Sequence, residues 1–333
     1  MRRRSLRPIA VLLVAAAAAA TVYLVLSTTG EAGSEQSATY SLQHAQRLVY
    51  RNVGADRSYK ADLVDGLPYP PELVILGGSR AVRFEPSRFA RLTGLPGFNA
   101  AFLKGRPEDS WAFVKHMLAL WPGTKLHCFW ALQGTSFVDG TLHPGLVYDR
   151  RLSRYFPRDL IARQAALLGH VRAYDLLHNR VYARDGTTLW NEYDVFAQRG
   201  RTLDQSLDVY LRRLLPVAAS TTTPKQTRSR RYFEKTIALF NGIGVKPVIV
   251  IMPYQPRVLA AFRAVGWERK VDALRAYLAG LQRAGLRFVV LDYLEIASFN
   301  GDANGFYDGA HITVANARRI IRQAVRDAPG AFR

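Results

Sequence analysis

Cysteine is nearly absent from this chain of 333 residues. Its single thiol, Cys128, excludes an intramolecular disulfide framework and any structural zinc site built on several thiolates. Acidic residues are also scarce: 26 Asp and Glu stand against 46 Lys and Arg, a net charge of +20. An H-E-x-x-H pair, clustered carboxylates and a Walker-type glycine-rich loop are all missing, so no metal or nucleotide cofactor is expected. After the first thirty residues, no apolar run is long enough to cross a bilayer. What is there is 49% apolar and 22% charged. That composition excludes collagen-like, low-complexity and wholly disordered classes, and it suits one large domain or two small ones.

The amino terminus is informative. Arg2-Arg3-Arg4 and Arg7 precede an uncharged stretch from Pro8 to Ser27. About twenty helical residues span roughly 30 Å, a hydrocarbon core. Positive charge on its amino side holds that end in the cytoplasm and sends the rest across. A cleaved signal peptide is the rival, but the stretch is long for one, which favours an uncleaved single-pass anchor in the plasma membrane. Residues 1–7 are then a cytoplasmic basic segment, 8–27 the span, and 28–68 a tether and amphipathic linker. The body is still strongly basic, which reads either as a polyanionic neighbour (nucleic acid, anionic lipid headgroups or an acidic envelope polymer) or as an arginine-rich composition with no partner implied. An extracytoplasmic body makes nucleic acid an unexpected partner.

After Pro70-Pro71 the pattern turns to alternating strands and helices. Leu73–Leu76, Leu126–Leu132, Val245–Met252 and Phe288–Leu291 are continuous apolar runs of buried-strand type, with a shorter run at Gly97–Asn99. Between or after them lie helical patterns at Glu108–Leu120, Arg231–Phe240, Val271–Ala284 and Val314–Val325. This predicts an α/β fold: a five-stranded parallel sheet covered on both faces, a three-layer α/β/α sandwich. Its first part is 69–138 and its second 231–333. Residues 139–230 interrupt the alternation, and their helical patterns at Asp159–His178 and Leu203–Leu215 predict a mainly helical cap.

Ligands of open parallel sheets bind beyond the carboxyl ends of the strands. Two groups fall there. Gly77-Gly78-Ser79-Arg80 follows the first strong strand, and its glycines leave a serine hydroxyl exposed. Asp308-Gly309-Ala310-His311 follows the last. There a carboxylate can hold imidazole Nδ1 and leave Nε2 to take a proton, the base a serine nucleophile requires. Either piece alone reads equally as a plain turn or a helix cap, and it is their joint placement that points to chemistry.

Here the sequence resembles the SGNH (GDSL-like) hydrolase superfamily. Ser79 matches its first block, and Asp308 with His311 match its final D-x-x-H block. The likeness is strongest to the membrane-anchored bacterial branch that serves alginate O-acetylation and teichoic acid D-alanylation. It covers roughly residues 70–137 and 228–328. It implies a flavodoxin-like strand order, 2-1-3-4-5, and a catalytic triad of Ser79, His311 and Asp308. Oxyanion or substrate contacts would come from Gly78, from Asn99 in Phe98-Asn99-Ala100-Ala101, and from Gln133, which stands where the family has asparagine. Arg80 could hold an anionic group or a salt bridge to the body. Tyr254, in Pro253-Tyr254-Gln255-Pro256, could belong to a substrate wall or to a rigid loop. The implied activity is that of an esterase or O-acyltransferase on a cell-envelope polysaccharide or lipid-linked polymer. A non-catalytic binder of anionic polymer and a partner subunit of a membrane acyltransferase are the alternatives. His116, His127 and Cys128 read as core residues.

Overall fold

Strands form where apolar residues run without interruption. The computed structural model describes residues 49–52, 56–168, 179–190, 194, 200–221 and 226–333. Within them Leu73–Gly77 (β1), Gly97–Asn99 (β2), His127–Leu132 (β3), Val248–Ile251 (β4) and Val289–Asp292 (β5) make one sheet. Every pairing is parallel and the order is β2-β1-β3-β4-β5, which is the order the family resemblance implies.

Eleven helices accompany the sheet among the described residues. Ahead of β3 come α1 (Asp56–Asp65), α2 (Pro86–Thr93) and α3 (Pro107–Leu120). The inserted segment carries α4 (Pro144–Val147), α5 (Arg150–Ser153), α6 (Arg158–Leu168) and α7 (Leu203–Ala219). Then follow α8 (Thr227–Gly242), α9 (Pro256–Ala264), α10 (Glu268–Arg283) and α11 (Val314–Asp327).

Successive strand residues point to opposite faces, so each strand feeds two cores. Leu73, Ile75, Phe129, Ala131, Val248, Val250 and Leu291 pack with Phe89 of α2 and with Ala317, Ile320, Ile321 and Ala324 of α11. Val74, Leu76, Cys128, Trp130, Ile249 and Ile251 pack on the other face. There they meet Leu63 and Val64 of α1, Phe113 and Met117 of α3, Phe233 and Ile237 of α8, and Leu274 and Leu278 of α10. Burying each such side chain contributes about 1.5–3 kcal/mol before ordering costs. Local signals set the helix ends. Pro86 opens α2, and Gly94 closes it with φ +82° and an amide bonded to Ala90 O. Asp109 caps α3 by accepting from the Arg106 amide at 2.8 Å.

Three expectations need correction or delimiting. The membrane span over 8–27 lies outside the described residues; among the described ones, no helix is long and apolar enough to cross a membrane. The linker assigned to 28–68 is in part domain, because α1 inserts Tyr59, Ala61, Leu63 and Val64 into the core. Its polar residues are buried too: Arg57 and Lys60 are each 1% exposed. The inserted segment is not only helical, since Asn179–Tyr182 and Thr188–Trp190 form an antiparallel hairpin. Its two ends are joined by Asp139, whose carboxylate accepts from the amides of Arg228 and Ser229 at 2.9 and 2.8 Å and so caps α8. Cys128, His116 and His127 are core residues, as expected. His127 Nδ1 meets Ala331 O at 2.8 Å, and His116 Nε2 meets Asp65 at 2.7 Å.

Candidate active site

Beyond the end of β1 the chain makes a turn that only one of its two glycines requires. Gly77 has φ +143°, and a β-carbon there would lie 2.8 Å from Ala131 O. Gly78, at φ −89° and ψ −162°, is ordinary extended backbone. Ser79 then opens a single 3-10 turn, Ser79–Ala81, with its side chain partly exposed.

Asn99 supports this turn from below. It is fully buried, and its Nδ2 donates to Ala81 O at 3.0 Å and to Phe84 O at 2.8 Å, while Oδ1 accepts from the Ala101 amide at 2.9 Å. Both N–H groups are therefore occupied, and the expected oxyanion or substrate role of Asn99 is replaced by a structural one. Asn99→Ala removes the bonds to buried Phe84 O and the Ala101 amide, while Ala81 O keeps the Phe84 amide, and is expected to cost about 1–3 kcal/mol, read as a lower urea midpoint. An unchanged midpoint with a 100-fold slower turnover would return Asn99 to the reaction.

The base arrives from the other end of the chain. Between β5 and α11, Phe306 and Ile312 form an antiparallel bridge, and the Tyr307 amide donates to His311 O at 2.8 Å. The tight turn between them brings Asp308 against His311. Asp308 Oδ1 accepts from the Ala310 and His311 amides, both at 2.8 Å, and its Oδ2 lies 2.8 Å from His311 Nδ1. His311 Nε2 lies 2.8 Å from Ser79 Oγ. Burial tends to raise the Asp308 carboxyl, but His311 and the two amides outweigh it and hold the group below the usual carboxylate range. Asp308 is thus ionised where His311 needs it. A third element fixes this loop: Asn316 of α11, fully buried, donates to Asp302 O and Gly305 O and accepts from the Asp302 amide.

Arg80, Gln133 and Tyr254 gather beside the triad. Arg80 Nε donates to Ala310 O at 3.0 Å, tying the serine turn to the histidine turn. Its guanidinium lies 4.4 Å from the centre of the Tyr254 ring. Tyr254 is itself buried, so it forms a floor for Arg80 and no open substrate wall. Burial pushes its phenol up, partly offset by the Arg80 charge. Its loop also touches the site through the Gln255 amide, which donates to Gly309 O at 3.0 Å. Gln133 turns Oε1 toward Arg80 Nη1 at 3.4 Å, which leaves its Nε2 facing other partners. The Gly78 and Ser79 amides donate to no acceptor among the described residues, so with Gln133 Nε2 they are the donors available to a developing oxyanion.

The inserted segment builds walls on both sides. On the serine side, the Thr188 amide donates to Val82 O at 3.0 Å, the Asn99 amide donates to Asp185 O at 2.7 Å, and Arg83 bonds Leu189 O at 2.6 Å and pairs with Asp194. On the histidine side Tyr210 of α7 lies on Gly309, where a β-carbon would come within 2.4 Å of the ring. Sequence reasoning missed Asn316, Gly309 as a contact point, Tyr210 and the hairpin. Only the D-G-A-H glycine carried a signal, a residue with no side chain beside a candidate base.

Ser79, His311 and Asp308 thus form one hydrogen-bonded chain from hydroxyl to imidazole to carboxylate. Such a chain activates a serine toward an acyl carbon. Comparison with known proteins gives no family-model match and no curated relative.

Proposed function

We propose that this chain is a serine esterase or O-acyltransferase of SGNH-like type, held on the outer face of the plasma membrane by residues 8–27. Its substrate is an acyl ester of a cell-envelope glycan or lipid-linked polymer. Ser79 Oγ attacks the ester carbonyl while His311 Nε2 takes its proton, and Asp308 holds the imidazole and stabilises the cation that forms. The negative charge on the carbonyl oxygen is met by the Gly78 and Ser79 amides and by Gln133. His311 then returns the proton to the leaving alcohol. The acyl-enzyme passes its group to water or to a sugar hydroxyl, with His311 again as base. No bound cofactor takes part in these steps. The observation that carries the reading is the 2.8 Å contact between Ser79 and His311 across 232 residues of sequence. The basic body suits an anionic envelope polymer.

The test is covalent labelling of the intact chain in detergent micelles with a fluorophosphonate, read by mass spectrometry. One adduct, located on Ser79 and lost in Ser79→Ala, is the expected result. An unlabelled but folded wild-type protein would overturn the nucleophile assignment and favour a non-catalytic or partner-dependent role.

A further inference from the structure

Arg80 differs from the other well-buried arginines with polar partners. Arg57 holds Asp56 and Asp109, and Arg83 holds Asp194. Arg80 is 4% exposed, and among the described residues no carboxylate pairs with it. Its contacts are neutral: a carbonyl at 3.0 Å, an amide oxygen at 3.4 Å, and the aromatic face and hydroxyl of Tyr254. Its buried Nη2 makes no hydrogen bond of normal geometry. A buried cation without an anion is costly, and here the cation directly follows the nucleophile and is bonded to the residue preceding the base. The long Gln133 contact is one that a charged oxygen would readily displace, since charge-assisted bonds to a guanidinium are shorter and stronger.

Resting on the reading of Ser79 as nucleophile, we propose that Arg80 is a specificity-determining residue that receives an oxyanion, a carboxylate or a phosphate, carried by the ester substrate close to its reacting carbonyl. The substrate supplies the counter-charge that the fold omits. Gln133 occupies that position between turnovers. A neutral ester leaves the guanidinium as it is, whereas a charged one gains two short bonds in the bound and transition states. The site therefore discriminates by charge before it discriminates by size.

The test compares two aryl esters of equal acyl length on the intact protein, 4-nitrophenyl hydrogen succinate and 4-nitrophenyl butyrate. Wild type is expected to favour the charged ester in kcat/KM. Arg80→Met is expected to lower that preference at least 10-fold, with Arg80→Lys between them. Gln133→Glu keeps Arg80 and its bond to Ala310 but supplies a resident carboxylate in place of the Nε2 donor, so it should raise Tm, slow both esters, and abolish the preference between them. This variant reads the proposal even where Arg80→Met folds poorly. In parallel, calorimetry measures binding of succinate and of inorganic phosphate to Ser79→Ala, with and without Arg80→Lys. Binding of either that weakens in the double variant supports the anion site, and whichever binds identifies the source of the charge. If neither ester turns over while Arg80-dependent binding persists, the anion site stands and the nucleophile reading falls. An unchanged ester preference in Arg80→Lys and Gln133→Glu, or no anion binding by Ser79→Ala, overturns the proposal.

Discussion

His311→Ala is expected to slow ester turnover by about 10⁶-fold, the scale on which losing a triad base acts. Among the described residues, only His311 is hydrogen-bonded to Ser79. The other histidines described in the core, His116 and His127, are held by Asp65 and Ala331 O. Stability should barely move, because the imidazole is partly exposed and the turn is held by backbone bonds. Asp308→Asn is expected to cost less, about 10⁴-fold, by favouring the wrong imidazole tautomer. Its stability effect should exceed that of His311→Ala, since the Asp308 carboxylate accepts from two amides as well. The pH dependence has a definite sign. The Asp308 carboxyl is lowered in the fold from an ordinary value of 3.8. Its contribution is therefore fully present above that value and is lost as pH falls through the lowered one. Urea midpoints at pH 7 and pH 3 check this: wild type should lose more on acidification than Asp308→Asn. Comparable rates for His311→Ala and wild type would remove the base from the mechanism.

The largest loss of stability is expected from Arg57→Met, about 3–5 kcal/mol. Arg57 Nε and Nη2 hold Asp109 from two sides at 3.0 and 3.3 Å, and Nη1 holds Asp56 at 2.8 Å. All three side chains are 5% exposed or less. Burial alone would lower the guanidinium's affinity for its proton, yet the two carboxylates more than reverse this. Removing the cation leaves Asp109 buried without its charged partner, and Asp109 also caps α3. The segment leading into α3 lies against the serine turn: a β-carbon at Gly105 would stand 2.5 Å from Gly77 O. The variant should therefore lose activity at temperatures where wild type is still folded. Urea denaturation measures it, and a loss under about 1 kcal/mol, the scale of an exposed pair, would show that the network is not closed to water.

Four of the five strands were legible because they are buried throughout and so are written largely in apolar residues, and the edge strand β5, only half-buried, still reads as an apolar run up to the exposed Asp292. Ser79, Asp308 and His311 were legible as a group because residue types able to form such a chain stand at the two strand ends. Asn99 misled for a physical reason: an asparagine near a nucleophile turn has the same donors whether they face a substrate or bond Ala81 O and Phe84 O. The α1 helix was hidden because Arg57 and Lys60 give it a polar surface pattern, although both are buried and partnered. Lys60 Nζ, for instance, donates to Asn99 O and Ala101 O. The hairpin at 179–190 is short and polar, with too few residues for period two to stand out. The missing counter-charge of Arg80 is a three-dimensional fact that no local pattern encodes.

The separation of the triad into two distant pieces also has a temporal side. Ser79 leaves the ribosome 232 residues ahead of His311, on the order of 10–50 s at ordinary elongation rates. Throughout that interval the hydroxyl lacks His311, and β4, β5 and the turn that carries it are synthesised only in its last part. A nascent or prematurely ended chain therefore lacks the Ser79–His311 contact. The contact forms only once the last strand has docked, so the reactivity proposed for Ser79 would belong to the finished fold alone.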